Sequence, residues 1–142
     1  MSLATPWTSV HRYADGFDLV QAGDGGPEVI VVVMTPAQPT AHEAIAAVSA
    51  GVTGDVTSSF STLAGAPCET LDIDGGTGQL AASSEGGIAL DAAPAQRVRA
   101  FAADLLGEPV LVMVLVPDGS HWDAGWELAS ELLASLSVPG IT

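Results

Sequence analysis

An uninterrupted run of apolar residues, 110–116, lies between Pro109 and Pro117. Its shortness and its β-branched residues predict a strand that is covered on both faces. Residues 29–35 are equally apolar and valine-rich, and they predict a second buried strand. We expect the two strands to be neighbours at the centre of one sheet.

A helical pattern follows the first of these runs directly. Apolar residues recur there at helical spacing, namely Trp122, Trp126, Ala129, Leu133 and Leu136. This stripe predicts an amphipathic helix over residues 121–136 that folds back on the sheet. Ser120 is expected to cap the helix, with Asp123 completing a capping box.

A second helix is predicted over residues 41–50. Thr40 and Glu43 have the spacing of a capping box, and the residues that follow include an apolar face. Gly51 stands where a helix-ending glycine is expected. Before this helix, residues 17–21 predict a strand that pairs with residues 29–35.

The middle of the chain predicts further strands. Apolar and polar residues alternate over residues 56–62 and again over residues 71–73. A glycine-rich turn would then bring residues 79–83 back as the hairpin partner of residues 71–73. Residues 88–90 form another short apolar run, and residues 1–16 predict an irregular lead-in or a short strand.

Residues 95–106 are compatible with two structures. Val98, Phe101, Ala102 and Leu105 have helical spacing, which favours a helix that ends near Gly107. In the alternative, a strand places Arg97, Arg99 and Phe101 on one face and forms a hairpin with residues 110–116.

Composition narrows the classes of function. The 142 residues predict a single domain, with its core at 17–138, and the longest apolar run is far shorter than a membrane span. The formal net charge is −14 and lysine is absent, which argues against nucleic acid and anionic membranes as partners.

The lone Cys68 suggests a reducing, cytoplasmic compartment. Frequent Ala, Gly and Val with Arg but no Lys are typical of a GC-rich genome.

No catalytic or metal-binding pattern emerges from the polar residues. The three histidines are far apart in sequence, and the Asp72-x-Asp74 start of a calcium-type loop lacks the later ligands. Cys68 has no histidine nearby in the sequence, so a small core or semi-exposed thiol is favoured over a nucleophile. We therefore predict no metal and no cofactor.

Two pairs of residues remain as candidate binding sites. Trp122 and Trp126 could line a ligand pocket, although a helical stripe of tryptophans is more often part of a core. Arg97 and Arg99 lie close together and are the candidate contacts for an anion.

The order of elements resembles the Mog/PsbP-like class of α/β/α sandwiches, which includes LpqN-type proteins. The resemblance lies in a helix after an apolar strand (EVIVVVMTPAQPTAHEAIAAV), an APAQRVRAF segment, and a final apolar strand, tryptophan loop and helix. It implies that APAQRVRAF is a strand. It also implies an α+β fold, a largely antiparallel sheet flanked by helices, and a binding protein rather than an enzyme.

The function expected from the sequence is that of a non-catalytic protein-interaction module. It would recognise another protein through a sheet edge or an acidic face. The alternative is a protein that binds a small apolar ligand between the sheet and the C-terminal helix. An enzyme that uses scattered Asp, Glu or Cys68 is a third hypothesis.

Overall fold

The computed structural model describes residues 9–13, 16–23, 26–63, 66–82, 89–92, 96–105 and 107–135. These residues form nine strands: β1 (Ser9–Tyr13), β2 (Gly16–Gly23), β3 (Gly26–Met34), β4 (Asp55–Leu63), β5 (Ala66–Asp74), β6 (Gly78–Ala82), β7 (Ala89–Ala92), β8 (Arg97–Leu105) and β9 (Glu108–Val116). They also form two α-helices, α1 (Ala41–Gly51) and α2 (Trp122–Ser135). The expected α+β fold class is confirmed.

Seven of these strands form one antiparallel sheet in the order β1-β2-β3-β9-β8-β5-β4. The predicted pairing of the two apolar runs is confirmed, because Val32 in β3 lies opposite Met113 in β9. Strand β9 is buried on both faces over its last six residues. The segment expected to be a lead-in contains a strand, β1, that pairs with β2.

The helices cover opposite faces of the sheet. On one face, α1 packs on β5, β8 and β9, and its buried residues join alternate residues of β9, Leu111, Met113 and Leu115. On the other face, α2 packs on β3 and β9, and Trp122 joins the intervening residues Val112, Val114 and Val116. The side-chain alternation of a strand thus divides the core into two apolar layers.

Residues 97–105 form a strand, so the helix favoured by periodicity is wrong. The alternative is confirmed, since β8 and β9 form a hairpin around Gly107, whose φ is +83°. Val98, Ala100 and Ala102 face α1, whereas Phe101 and Ala103 belong to the layer under α2. A strand buried on both faces carries apolar residues at nearly every position, so helical spacing occurs in it by coincidence.

The predicted hairpin between residues 71–73 and 79–83 is also wrong. Strand β5 pairs with β4 and β8 instead, while β6 pairs with β7 in a separate two-stranded sheet. Gly76 and Gly78 have positive φ, and the Thr77 carbonyl accepts a hydrogen bond from the Thr53 backbone N–H at 2.9 Å. These contacts direct the chain over the end of α1, where Leu80 is buried in the α1 layer.

The start of the C-terminal helix differs from the prediction. Gly119–His121 forms a short 3-10 turn before α2, and Asp118 caps that turn. The Asp118 carboxylate accepts hydrogen bonds from the Ser120 backbone N–H at 3.0 Å and from the Ser120 hydroxyl at 2.6 Å. Ser120 therefore donates to the cap rather than acting as one, because an ionised carboxylate is the stronger acceptor.

Helix α1 begins as predicted. The Thr40 hydroxyl accepts a hydrogen bond from the Glu43 backbone N–H at 3.2 Å. Gly51, expected just beyond the helix, is its last residue. It is required there by close approach, because a Cβ at Gly51 would lie 2.4 Å from the backbone carbonyl oxygen of Gln79.

Candidate functional site

Strand β4 forms one edge of the seven-stranded sheet. It is nine residues long, and β5 is its strand partner within the described residues. Its sequence, DVTSSFSTL, contains one charge, no proline and no glycine. Natural edges are usually shortened, bulged, charged or covered, because their unpaired N–H and C=O groups can pair with another chain. Apart from Asp55 at its start, strand β4 carries none of the sequence features that discourage such pairing.

Phe60 lies in the middle of this edge strand and is 82% exposed, on the face of the sheet that carries α1. Its direct partner across the β4–β5 pair is Glu69, which in turn lies opposite Ala102 of β8. An aromatic side chain normally contributes its large apolar surface to a core or an interface. Phe60 contributes to neither in the isolated chain.

A shallow cavity of about 200 Å³ lies beside Phe60, where β4, β5 and β8 meet the first turn of α1. Its lining combines apolar side chains with three polar residues, His42, Glu69 and Asp104. Small-molecule sites usually measure about 300–1,000 Å³. This cavity is smaller, and its volume suits one side chain of a bound peptide.

The polar residues of the cavity are held in place by hydrogen bonds. His42 Nδ1 lies 2.8 Å from Glu69 Oε1, and this contact raises the pKa of His42 above its ordinary value of 6.5. Asp104 Oδ1 accepts a hydrogen bond from the Ala41 backbone N–H at 3.1 Å, which satisfies a free donor of the α1 N-terminus. The carboxylates therefore have defined positions beside Phe60.

The opposite face of β4 and β5 carries hydroxyl groups. Ser61 Oγ lies 2.8 Å from Thr70 Oγ1 and 3.3 Å from the Cys68 sulfur. Both Thr70 and Cys68 are buried, so these contacts satisfy polar groups inside the structure. Of the core and semi-exposed positions expected for Cys68, the structure shows the core position, because the residue is buried.

The four residues singled out in the sequence lie together on the α2 face, away from Phe60. Trp122 and Trp126 stack with ring centroids 5.8 Å apart, and Trp126 stacks on Phe101 at 6.0 Å. The guanidinium of Arg97 lies 4.8 Å from the centre of the Trp122 ring, and that of Arg99 lies 4.3 Å from Trp126. The sequence suggested the two pairs separately, and the fold joins them into one cation–π cluster.

The two arginines of this cluster differ in their partners. Arg99 Nε donates to Asp72 Oδ1 at 2.7 Å. Arg97 belongs to none of the ion pairs of the described side chains, and its buried Nε has no hydrogen-bond acceptor there. Trp122 is buried in the core, as the stripe predicted, whereas Trp126 is half-buried. The role of these residues as ligand contacts stays a prediction.

The described side chains offer no cluster of three or more His, Cys, Asp or Glu residues that could hold a metal ion. Among the described helices, neither has the length and apolar character needed to span a membrane. Asp72, considered above for a calcium loop, is the partner of Arg99.

Comparison with known proteins gives no match to a family model, to a curated protein or to a solved structure. The candidate function is therefore inferred from the geometry of this chain alone. That geometry draws attention to Phe60, which the sequence did not single out. The available signal was the thin apolar side of residues 56–62, in which Phe60 is the one large residue.

Proposed function

We propose that this protein is a non-catalytic protein-interaction module that binds an extended segment of its partner along β4. One observation carries the proposal: a nine-residue, nearly uncharged strand forms the sheet edge, and its central aromatic residue, Phe60, is 82% exposed. A partner strand added to such an edge gains main-chain hydrogen bonds, and its alternate side chains supply specificity.

Two described side chains that could support catalysis have structural partners. Cys68 is buried against Ser61, and His42 is paired with Glu69. These roles support a binding protein over an enzyme. The resemblance to Mog/PsbP-like proteins, which are mostly non-enzymatic binding proteins, points the same way. A cytoplasmic location, expected from the single cysteine, belongs to the same proposal.

Two proline variants test the use of this edge. Backbone N–H groups of successive residues point to opposite sides of a strand, so one of Ser58 and Ser59 directs its N–H away from β5. Proline at that position removes a donor from the free edge, whereas proline at the other breaks the β4–β5 ladder. Thermal unfolding of Ser58→Pro and Ser59→Pro identifies which variant keeps its stability.

The stable proline variant is then compared with the parent in affinity capture from a lysate of the source organism. We expect the parent to retain a partner protein that the stable variant loses, because only the free edge has changed. Retention of the same partner by both proteins would show that the partner binds elsewhere and would contradict the proposal.

The second candidate, a small-ligand binder, is favoured by Arg97, whose guanidinium lies over Trp122 and has no carboxylate partner among the described side chains. A ligand that carries an anionic group could supply that partner beside the aromatic rings. Saturable quenching of tryptophan fluorescence by a member of a metabolite library would support this candidate. Quenching that persists in Arg97→Gln would exclude the arginine as its contact.

A further inference from the structure

Acidic side chains outnumber basic ones near the β4 edge, on the face that carries Phe60. Glu69 of β5 and Asp104 of β8 line the cavity beside Phe60, and Glu43 follows His42 in α1. The basic side chain among these residues is His42, which is paired with Glu69. The three arginines of the chain lie elsewhere. Arg97 and Arg99 stack on tryptophans of the opposite face, and Arg12 belongs to β1 at the other edge of the sheet. An incoming strand therefore meets an acidic border.

The spacing of a sheet places this border within reach of an added strand. A strand bound to β4 would lie about 4.8 Å from it and about 10 Å from β5. A lysine or arginine opposite Phe60 could lay its apolar stem on the exposed ring and extend its charge toward Glu69. Phe60 and Glu69 are direct cross-strand partners, so one basic side chain can contact both.

The cavity beside Phe60 can accommodate a second side chain of the bound partner strand. Residues two positions apart lie on one face of a strand, so an apolar residue can follow the basic one along this face. The cavity of about 200 Å³ has Pro67 and Ala102 among its apolar lining residues. It can take one aliphatic side chain while the basic residue lies over Phe60.

We propose that the occupant of the β4 edge is an extended basic segment of a partner protein, with a lysine or arginine over Phe60 and an apolar residue two positions away in the cavity. This inference rests on the proposed function and adds the chemistry of the partner. Charge complementarity supports it, because the chain carries a formal charge of −14 and has no lysine. The same charge disfavours a second copy of this chain, whose edge would bring an identical acidic border.

Three labelled peptides test the proposal with the full chain. Each has nine residues that alternate threonine and valine, and three positions on one face carry lysine, glutamine or glutamate. Fluorescence anisotropy measures their binding at low ionic strength and again at about 1 M salt, where the Debye length is about 3 Å. We expect the lysine peptide to bind roughly two- to fivefold more tightly than the glutamine peptide at low salt, since an exposed ion pair contributes up to about fivefold in affinity.

Variants locate the effect on the protein. Glu69→Gln is expected to weaken binding of the lysine peptide and to leave the glutamine peptide unchanged. Glu127→Gln removes the same charge from the exposed side of α2, which packs on the opposite face of the sheet, and it should have no effect. Phe60→Ala should weaken both peptides. High salt should abolish the preference for lysine.

The possible results separate this proposal from the proposed function. Equal binding of all three peptides, lost in the stable proline variant, would overturn the basic partner and leave strand addition in place. Self-association of the parent that the same variant abolishes would show that a second copy is the occupant. Failure of all three peptides to bind would overturn the basic segment as occupant, while affinity capture decides strand addition separately.

Discussion

Phe60 and Glu69 are direct partners across the β4–β5 pair, yet the aromatic ring remains in water and the carboxylate is bound to His42. An apolar ring and an anionic group side by side at a free sheet edge stabilise the isolated chain little. We propose that both groups serve to bind another strand that covers them. This pair is the reason to look for function at the edge of the sheet.

Phe60→Ala should leave the fold almost unchanged. An exposed position on an edge strand contributes less than about 1 kcal/mol to the free energy of unfolding. Phe101→Ala is the matched control, because Phe101 is 6% exposed and stacks on Trp126. Removal of the Phe101 side chain should lower the free energy of unfolding by about 3–5 kcal/mol. Urea unfolding of both variants checks the contrast, and equal losses would mean that Phe60 is part of the core.

Trp122→Ala should destabilise the protein by about 3 kcal/mol or more, as expected for a buried tryptophan. Trp126→Ala should lower the free energy of unfolding by less, because Trp126 is half-buried and its substitution leaves the buried Trp122 in place. Urea unfolding measures both. A Trp122→Ala variant as stable as the parent would show that this stripe faces a groove, and the ligand-binding alternative would then be preferred.

His42 should titrate above its ordinary pKa of 6.5, because the Glu69 carboxylate stabilises the imidazolium. A raised pKa in the folded state makes the pair stabilising below about pH 6.5, and this contribution is lost as the pH rises through the raised value. NMR titration of the His42 ring should show the shift in the parent and a decrease in Glu69→Gln. An unchanged pKa in Glu69→Gln would mean that the 2.8 Å contact does not persist in solution.

The start of α2 offers a test of its cap. Asp118→Ala should lower the free energy of unfolding by about 1 kcal/mol, which is typical for the loss of a capping side chain. Ser120→Ala should lower the free energy of unfolding by less than about 0.5 kcal/mol, because the backbone N–H of residue 120 can still donate to Asp118. Urea unfolding distinguishes the two, and the opposite ranking would make Ser120 the cap, as its sequence position suggested.

Gly51→Ala should destabilise the protein, although the same change in an ordinary exposed helix stabilises it by about 0.5–1 kcal/mol. The added Cβ would meet the backbone carbonyl oxygen of Gln79 at 2.4 Å, so β6 would have to move. Ser49→Ala, two residues earlier on the exposed surface of α1, is the control and should be neutral or slightly stabilising. Thermal unfolding compares the two variants.

Local patterns predicted the elements of this fold better than their connections. The apolar runs in β3 and β9 and the cap of α1 at Thr40 are signals carried by adjacent residues, and each was predicted correctly. The partner of β5 was predicted wrongly, because local sequence favours a hairpin with the next strand along the chain. Strand β5 instead pairs with β8, which places Ile73 opposite Val98. The two strands are separated in sequence by β6 and β7, and the pattern of apolar residues does not predict a pairing over this distance.

The candidate site was least accessible to sequence reasoning. Phe60 lies in a strand with alternating side chains, and alternation does not tell an edge strand from a central one. Its exposure follows from the strand order, which depends on β5 having β8 on its other side. The meeting of Arg97 with Trp122 likewise depends on the chain reversal between β9 and α2, although both residues were noticed separately.

The strand order also has a consequence for biosynthesis. The hairpins β2–β3 and β4–β5 come early in the chain, but they are not neighbours in the finished sheet. The β8–β9 hairpin joins them, since β9 pairs with β3 and β8 pairs with β5. During translation from the N-terminus, β3 and β5 are therefore synthesised before β9 and β8, the strands that pair with them. The hairpin centred on Gly107 joins the two parts of the sheet, so we expect the sheet to be completed only after this hairpin has been synthesised.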